Sequence, residues 1–231
     1  MKSAIKVLGV PDDINSSFMR GSSAAPPLIR EALYSASSNL FSESGLNLDQ
    51  KGIWEDLGDI EFAGQVAVEN FKKIKTFVKD VLVSDQKLVS LGGDHSVSWP
   101  ILDAHLDKWD ALDILHIDAH PDLYDSLLGN KLSHASPFAR IMETGRASRL
   151  VQVGIRTLNK HQREQAEKFG VEIYQMKDLT KLSSLSFSKP VYCSIDIDAL
   201  DPAYAPGVSH FEPGGLSCLL YTSPSPRDTE V

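Results

Sequence analysis

The sequence has little of what marks secreted, membrane-spanning or nucleic-acid-binding proteins. It contains two cysteines, Cys193 and Cys218, too few for a disulfide framework and typical of a reducing compartment. Its apolar runs are far shorter than the roughly 20 residues that a membrane-spanning helix needs. Basic residues number 23 against 31 acidic ones, and they form no cluster suited to a phosphate backbone. We therefore expect neither a membrane nor a nucleic acid as a partner.

The first residues bear on the cellular location. Residues 1–9 are too short and too strand-like a segment for a signal or transit peptide, so we expect a cytoplasmic protein. A mitochondrial location stays open, because a clipped N-terminus would have lost a transit peptide.

Short apolar segments alternate with amphipathic ones along most of the chain. Six segments rich in Val, Ile and Leu predict strands buried on both faces of a parallel sheet: AIKVLGV, KLVSLGG, LDILHID, RLVQVGI, VEIYQM and KPVYCSIDID. Between them, Phe71, Ile74, Val78 and Val81 recur at helical spacing and predict a helix over residues 66–83. Further helices are predicted at LIREAL, WPILDAHLDKW, SPFARIME and NKHQREQAEKFG. The alternation predicts a doubly wound α/β fold with a mostly parallel sheet and helices on both faces.

The predicted domain spans residues 1–217. From Cys218 the sequence reads CLLYTSPSPRDTEV, which is rich in Ser and Pro and has no amphipathic period. We predict that residues 218–231 are a disordered tail or a foreign coding end.

The stretch HIDAHPD places charged side chains directly after a predicted buried strand. Asp118, His120 and Asp122 occupy alternate positions, which project to one side while the backbone is extended. Pro121 disfavours the helical conformation at His120, so we expect the segment to stay extended there. In open α/β sheets this is the end of the strand at which ligands bind.

Two further strands are followed by similar clusters. Asp94 and His95 come after the double glycine of KLVSLGGDHS, and Asp196 and Asp198 stand two positions apart in VYCSIDIDALDP. Each cluster taken alone also fits the cap of a helix or a turn.

Together the three clusters predict a two-metal site. If the strand ends converge, four carboxylates and two imidazoles face one cleft, and the carboxylates repel one another unless cations neutralise them. Two divalent ions supply that charge and lower the pKa of a shared water, which makes hydroxide available near neutral pH. An oxygen-rich ligand set with few imidazoles favours Mn²⁺ over Zn²⁺. The predicted ligands are His95, Asp118, His120, Asp122, Asp196 and Asp198.

Four other polar residues need an interpretation. His134, at the start of a predicted helix, is either an acid or base at the mouth of the cleft or a structural histidine. We predict that His116 is buried beside the ligands, and that Asp94 holds a turn, since no lysine follows GGDHS as in a phosphate-binding loop. Glu212, flanked by proline and glycines, is predicted to lie in a surface loop.

The motifs GGDHS, DAHPD and SIDIDALDP together resemble those of the ureohydrolases, the family of arginases and agmatinases. The resemblance runs over about residues 4–217, and NSSFMRGSSAAPPLIREAL and SHASPFARIME resemble plant-type arginases in particular. It implies the fold shared by arginases and deacetylases, a small guanidino substrate, and a homo-oligomer, either a trimer or a hexamer. The implied reaction is the hydrolysis of arginine to ornithine and urea, with agmatine as the alternative substrate.

The resemblance also implies how the residues are used. Two Mn²⁺ ions per chain would each take one histidine and one carboxylate of their own and share two bridging carboxylates. These are His95 and Asp122 for the first ion, His120 and Asp198 for the second, and Asp118 and Asp196 as the bridges. A metal-bridging hydroxide would attack the guanidinium carbon, and His134 matches the family's proton-shuttling histidine.

The sequence departs from the family in two places. Asn159 stands in the loop where liver-type arginases place acidic residues that hold the substrate's α-amino group, so Asn159 is a candidate substrate residue. The second departure begins at Cys218, before the last central strand of the family and the glutamate on it that holds the guanidinium group. We expect that strand to be missing, and the 231-residue chain alone to fold poorly and to be nearly inactive.

Two other classes of function compete with a ureohydrolase. A catalytically silent metal-binding subunit is motivated by the missing glutamate and would bind two Mn²⁺ without releasing urea. A zinc deacetylase shares the fold, but the adjacent His-His pair that it uses is not found in this sequence.

Overall fold

The computed structural model describes residues 5–84 and 86–218, which form seven strands and five α-helices. The strands are β1 (Ile5–Val10), β2 (Trp54–Asp59), β3 (Lys87–Gly92), β4 (Leu112–Ile117), β5 (Ala147–Ile155), β6 (Glu172–Gln175) and β7 (Val191–Ile195). The helices are α1 (Ala25–Leu33), α2 (Ala67–Leu82), α3 (Ser98–Lys108), α4 (Pro137–Glu143) and α5 (Lys160–Phe169). In these residues, no helix is both long and apolar enough to cross a lipid bilayer.

The strands form two parallel sheets, which fits the expectation of a mostly parallel sheet whose last central strand is missing. One sheet has the order β2-β1-β3 and the other β6-β5-β4-β7. Among the described residues, no strand lies between β3 and β7, so each is an edge strand. The α/β class with parallel strands is confirmed, and the division into two sheets follows from this gap.

The edge position of β3 and β7 explains why one prediction about them is wrong. The sequence predicts strands buried on both faces, which holds for the interior of β4 and β5 but not for these two. Val89 of β3 is 46% exposed and Val191 of β7 is 41% exposed. Cys193, predicted to be buried, is also exposed. A strand with a neighbour on one side only leaves its apolar side chains partly in water.

Helix α3 joins the two sheets through their cores. Its Ile101 packs into the first core with Leu8 of β1 and Ile74 of α2, whereas its neighbour Leu102 packs into the second core with Ile114 of β4. These side chains are almost completely buried, and each contributes about 1.5–3 kcal/mol through the burial of apolar surface. The predicted helix over residues 66–83 is confirmed as α2.

Strand β2 is absent from the sequence-based prediction because its sequence, WEDLGD, is acidic and has no β-branched residue. It forms because β1 pairs with it, and Arg30 of α1 binds its Asp56 carboxylate at 2.7 Å. The predicted tail, residues 218–231, lies outside the described residues except for Cys218, so the domain boundary at residue 217 stays a prediction.

Candidate metal centre

The carboxyl ends of β3 and β4 bring one histidine and two carboxylates together. His95 follows β3, and its Nδ1 lies 3.0 Å from Oδ2 of Asp118 and 3.0 Å from Oδ2 of Asp122, both beyond the end of β4. Asp196, which follows β7, places its Oδ2 at 3.3 Å from the same nitrogen. Residues from all three predicted clusters thus converge on one ring nitrogen.

A second group lies beside the first and shares Asp118 with it. Nδ1 of His120 is 3.0 Å from Oδ2 of Asp198 and 3.4 Å from Oδ1 of Asp118. Asp118 therefore offers Oδ2 to one group and Oδ1 to the other, which is the arrangement of a bridging carboxylate.

The side chains form two sets, and within each set the possible ligand atoms all lie within 4.8 Å of one another. The first set is His95, His116, Asp118 and Asp122, and the second is Asp118, His120 and Asp198. The structure thus brings the six predicted ligands to one place. The bridging role of Asp196 stays a prediction, because it belongs to neither set.

The buried Nδ1 of His95 provides a test of whether these residues fit a cation. It has no hydrogen-bond partner of acceptable geometry among the described residues, although three carboxylate oxygens lie 3.0–3.3 Å away. A buried ring nitrogen that faces three carboxylate oxygens without hydrogen bonding to any of them is placed as a ligand of an ion shared with those oxygens would be. The donor set, mostly carboxylate oxygen with some imidazole nitrogen, fits a divalent cation such as Mn²⁺.

The pKa values of the cluster also indicate that these side chains fit a divalent cation. Burial and the charge of Asp118 raise the pKa of Asp122 to about 7 and that of Asp198 to about 8. Burial lowers the pKa of His120, but its contacts with Asp118 and Asp198 outweigh this and raise the pKa to about 11. These carboxylates are destabilised by one another's charge, and divalent cations relieve that repulsion.

The turn after β3 is built to present His95. A Cβ at Gly93 would lie 2.0 Å from the carbonyl oxygen of Asp12, so only glycine allows the two backbones to approach this closely. Asp94 accepts hydrogen bonds from the amides of Ser96 and Asn15, at 2.9 and 3.0 Å. Asp94 therefore holds the turn, as predicted, and burial raises its pKa to about 6.

The segment after β4 is bent rather than extended, which corrects the sequence-based expectation. The strand ends at Ile117, and residues 118–120 form a bend because Oδ1 of Asp118 accepts the amide N–H of His120 at 2.6 Å. Asp122 then adopts a φ of 50°, a left-handed conformation that costs a non-glycine residue about 1 kcal/mol or more. The ligands converge through this bend and not through the alternation of a strand.

A similar turn follows β7. Asp196 accepts the amide N–H of Asp198 at 3.0 Å and begins a short 3₁₀ turn. The guanidinium of Arg156 donates to the carbonyl oxygens of Asp198, at 2.7 Å, and of Glu212, at 2.6 Å. Arg156 thereby fixes the Asp198 backbone and ties the loop before Leu216 to it.

His134 lines a cavity of about 1030 Å³, and five of the six candidate ligands line it as well. Its Nε2 is 2.8 Å from Oγ of Ser17, and its ring is 5.9 Å from that of His210. Burial and the charge of His210 lower its pKa to about 4, so its ring is neutral at pH 7. Its role as an acid or base stays a prediction.

Two residues near the centre were not expected there. Glu212 lies in an exposed loop, as predicted, but its Oε1 reaches to 3.5 Å from Nε2 of His120. The ring of His210, from the same loop, is 5.7 Å from that of His120. A bridge between Leu200 and Leu216 folds this loop back over the centre. The only sequence feature that could have indicated these contacts is a histidine and a glutamate in the Gly- and Pro-containing loop that follows SIDIDALDP.

Both polar groups of the Asn159 side chain form hydrogen bonds with other residues of the protein. Its Oδ1 accepts the amide of Gln162 at 2.9 Å and caps α5, while its Nδ2 donates to the hydroxyl of Tyr124 at 2.5 Å. Asn159 is exposed and is not one of the residues that line the cavity. Its predicted role in substrate binding stays a prediction.

A parallel α/β fold with a convergent carboxylate and imidazole centre at its strand ends is typical of metal-dependent hydrolases. Residues 3–220 match the model of the arginase family, and the chain belongs to that family. This confirms the resemblance carried by GGDHS, DAHPD and SIDIDALDP, and the chain's relatives are hydrolases.

Named relatives place the chain nearer to arginases than to agmatinases. Arginase 1, mitochondrial, of Oryza sativa subsp. indica is 48% identical over 94% of this chain and 68% of its own length. The solved arginase of Medicago truncatula is 45% identical with a TM-score of 0.88, over 93% of this chain and 72% of that one. The agmatinase of Bacillus cereus is 34% identical over 94% of this chain and 75% of its own length.

Proposed function

We propose that this protein hydrolyses arginine to ornithine and urea at a centre of two Mn²⁺ ions. The observation that carries the proposal is the position of Asp118, which offers one carboxylate oxygen to each of two adjacent sets of ligand atoms. The similarity to plant proteins named arginases supports arginine as the substrate.

The six convergent side chains would hold the metal ions. The proposed ligands are His95 and Asp122 for one ion, His120 and Asp198 for the other, and Asp118 and Asp196 as bridges. When bound, the two ions neutralise the carboxylates and lower the pKa of a water molecule at the centre, so that a nucleophile is available near neutral pH.

The protein's own side chains would hold the metal ligands in place and carry a proton during the reaction. The turns at Asp94 and Asp196 hold His95 and Asp198 in place before any ligand arrives, which avoids reorganisation during the reaction. His134 is neutral at pH 7, so its Nε2, now hydrogen-bonded to Ser17, can accept a proton and deliver it to the leaving amine.

One charge at the cavity favours arginine over agmatine. Arg20 is the only lysine or arginine among the described residues that line the cavity. Arginine carries an α-carboxylate that agmatine lacks, so a cation at this position stabilises bound arginine selectively.

The test is urea release by protein expressed from its full transcript, first stripped of metal and then supplied with Mn²⁺. We expect Mn²⁺-dependent urea release with a higher kcat/KM for arginine than for agmatine. Asp118→Asn should abolish it, whereas Asp125→Asn, an exposed aspartate, should not. A protein that binds two Mn²⁺ and releases urea from neither substrate would instead be a catalytically silent metal-binding subunit.

The assembly and location are part of the proposal. Sedimentation of the metal-loaded protein should give a trimer or a hexamer. The cytoplasm predicted from the sequence competes with the mitochondrion, which appears in the names of the rice and Arabidopsis thaliana relatives. Fractionation of the source cells decides between the two.

A further inference from the structure

His116 lies behind the proposed bridging carboxylate and is fully buried at the end of β4. Its Nε2 is 2.8 Å from Oδ2 of Asp118, and its Nδ1 is 3.0 Å from Nε2 of Gln152. Gln152 is the neighbour of His116 on β5, and it is also fully buried. The ring of Phe138 stacks on the imidazole at 3.9 Å between centroids and fixes its plane.

The carbonyl of Pro121 determines the orientation of the Gln152 amide. It lies 2.6 Å from Nε2 of Gln152, and a backbone carbonyl can only accept a hydrogen bond. The amide must therefore present its NH₂ group to Pro121, because the opposite orientation would place two oxygens in contact. The second N–H of that group faces Nδ1 of His116.

This orientation fixes which nitrogen of His116 carries the proton. A ring nitrogen that faces an N–H donor must be an acceptor, so Nδ1 is unprotonated. The proton is then on Nε2, which donates it to Oδ2 of Asp118. The other oxygen of that carboxylate accepts the amide N–H of His120 at 2.6 Å, so both oxygens are held and the carboxylate cannot rotate.

We propose that Gln152 is a positioning residue that fixes the tautomer of His116 and thereby holds Asp118 in its bridging orientation. The inference rests on the proposed two-metal function. It makes His116 a support of the centre and not a ligand, although its Nε2 lies close enough to the first set of ligand atoms to be one. Partners of this kind, which orient a metal ligand from behind, commonly change metal affinity by about 10- to 100-fold.

The first test measures the tautomer in the unaltered 231-residue chain, without metal, after labelling its histidines with ¹⁵N. Long-range proton-nitrogen correlations, assigned with a His116→Asn variant, should show a protonated Nε2 and an unprotonated Nδ1. Addition of diamagnetic Zn²⁺ should leave the Nε2 proton in place. A proton on Nδ1 would overturn the proposal, and loss of the Nε2 proton on Zn²⁺ addition would make His116 a ligand and also overturn it.

The second test removes the amide and measures Mn²⁺ binding by calorimetry and electron paramagnetic resonance. Gln152→Met should weaken Mn²⁺ binding by about 10-fold or more and give a mixture of His116 tautomers. The control is Gln165→Met, because Gln165 is another buried glutamine, on α5, that does not line the cavity. Equal Mn²⁺ affinity in the two variants would contradict the proposal.

The two proposals fail in different ways. Absence of urea release with tight Mn²⁺ binding and a protonated Nε2 would overturn the hydrolase but leave the role of Gln152 intact. Urea release together with a protonated Nδ1 would do the reverse. The tautomer is measured on the unaltered chain, and the His116→Asn variant serves only to assign its signals.

Discussion

Oδ2 of Asp118 lies 3.0 Å from Nδ1 of His95, and the two residues follow strands of different sheets. His95 follows β3 of the three-stranded sheet, and Asp118 follows β4 of the four-stranded one. The candidate metal centre is therefore a junction between the sheets, in addition to the packing of α3 against both. A cation bound there would hold the sheets together as well as serve the chemistry.

This junction predicts that Mn²⁺ raises the thermal stability of the metal-free chain. A ligand that binds only the folded state at about 100 times its Kd adds about 2.7 kcal/mol to the free energy of unfolding. Calorimetric melting with and without Mn²⁺ measures the effect. Asp118→Asn should remove the increase in Tm and Asp125→Asn should retain it, and a Tm insensitive to Mn²⁺ would contradict the proposed centre.

The role of His134 predicts a loss of turnover without a loss of metal. His134→Asn should lower kcat by about 100-fold or more, the usual contribution of a general acid or base, while the bound Mn²⁺ per chain stays unchanged. Steady-state kinetics with metal analysis measures both quantities. The control is His161→Asn, since His161 stacks on Tyr124 outside the centre. An unchanged kcat in His134→Asn would make it a structural histidine.

Arg20 predicts a change in substrate preference. Arg20→Gln should lower kcat/KM for arginine by about five-fold, as expected for loss of one exposed ion pair worth about 1 kcal/mol, and leave agmatine unaffected. Arg163→Gln, at an exposed site on α5, should change neither substrate. A parallel loss for both substrates would show that Arg20 does not recognise the α-carboxylate.

The convergence of the candidate metal ligands could be predicted from sequence because it depends largely on a general rule. Strands of a parallel sheet end at the same edge, so the clusters at Asp118 and Asp196 meet because β4 and β7 are neighbours. The cluster that contains His95 follows β3 of the other sheet and meets them where the two sheets adjoin. The bend at Asp118 cannot be predicted in this way, because the sequence does not show whether an aspartate side chain accepts the amide N–H two residues ahead, as Asp118 does from His120.

The remaining features depend on contacts between distant residues. Glu212 reaches His120 only because the loop returns along Leu200 and Leu216, which no local pattern indicates. The pairing of His116 with Gln152 depends on the register of β4 against β5. In the same way, β2 exists because β1 pairs with it, against the low strand propensity of WEDLGD.

His105 predicts a pH dependence of stability. It is buried in α3, stacks on Trp109, and its Nδ1 bonds the carbonyl of Ile101 at 2.8 Å. Burial lowers its pKa below the ordinary value of 6.5. The unfolded chain therefore binds more protons near pH 6, and this contribution to stability is lost as the pH falls below about 6.5.

The measurement is the free energy of unfolding in urea at about pH 7.5 and about pH 5.5, on either side of the ordinary histidine pKa. Wild type should lose more stability between them than His105→Gln, in which nothing at that position titrates. Groups elsewhere titrate equally in both proteins and cancel in the difference. Equal losses would show that His105 keeps its ordinary pKa.

The open edges of β3 and β7 predict that the 231-residue chain self-associates. Among the residues that the structure describes, β3 and β7 each have a neighbour on one side only. Such edges, with Val89 and Val191 exposed, can pair with the same edges of another copy, whereas a lysine on an edge strand prevents this. Light scattering should show association that rises with concentration and falls in Val89→Lys and Val191→Lys. Val83→Lys, at an exposed valine outside the strands, should associate like wild type. Equal association in all four proteins would place the contact away from these edges, and a monomer that stays soluble at high concentration would mean that the two edges are covered in solution.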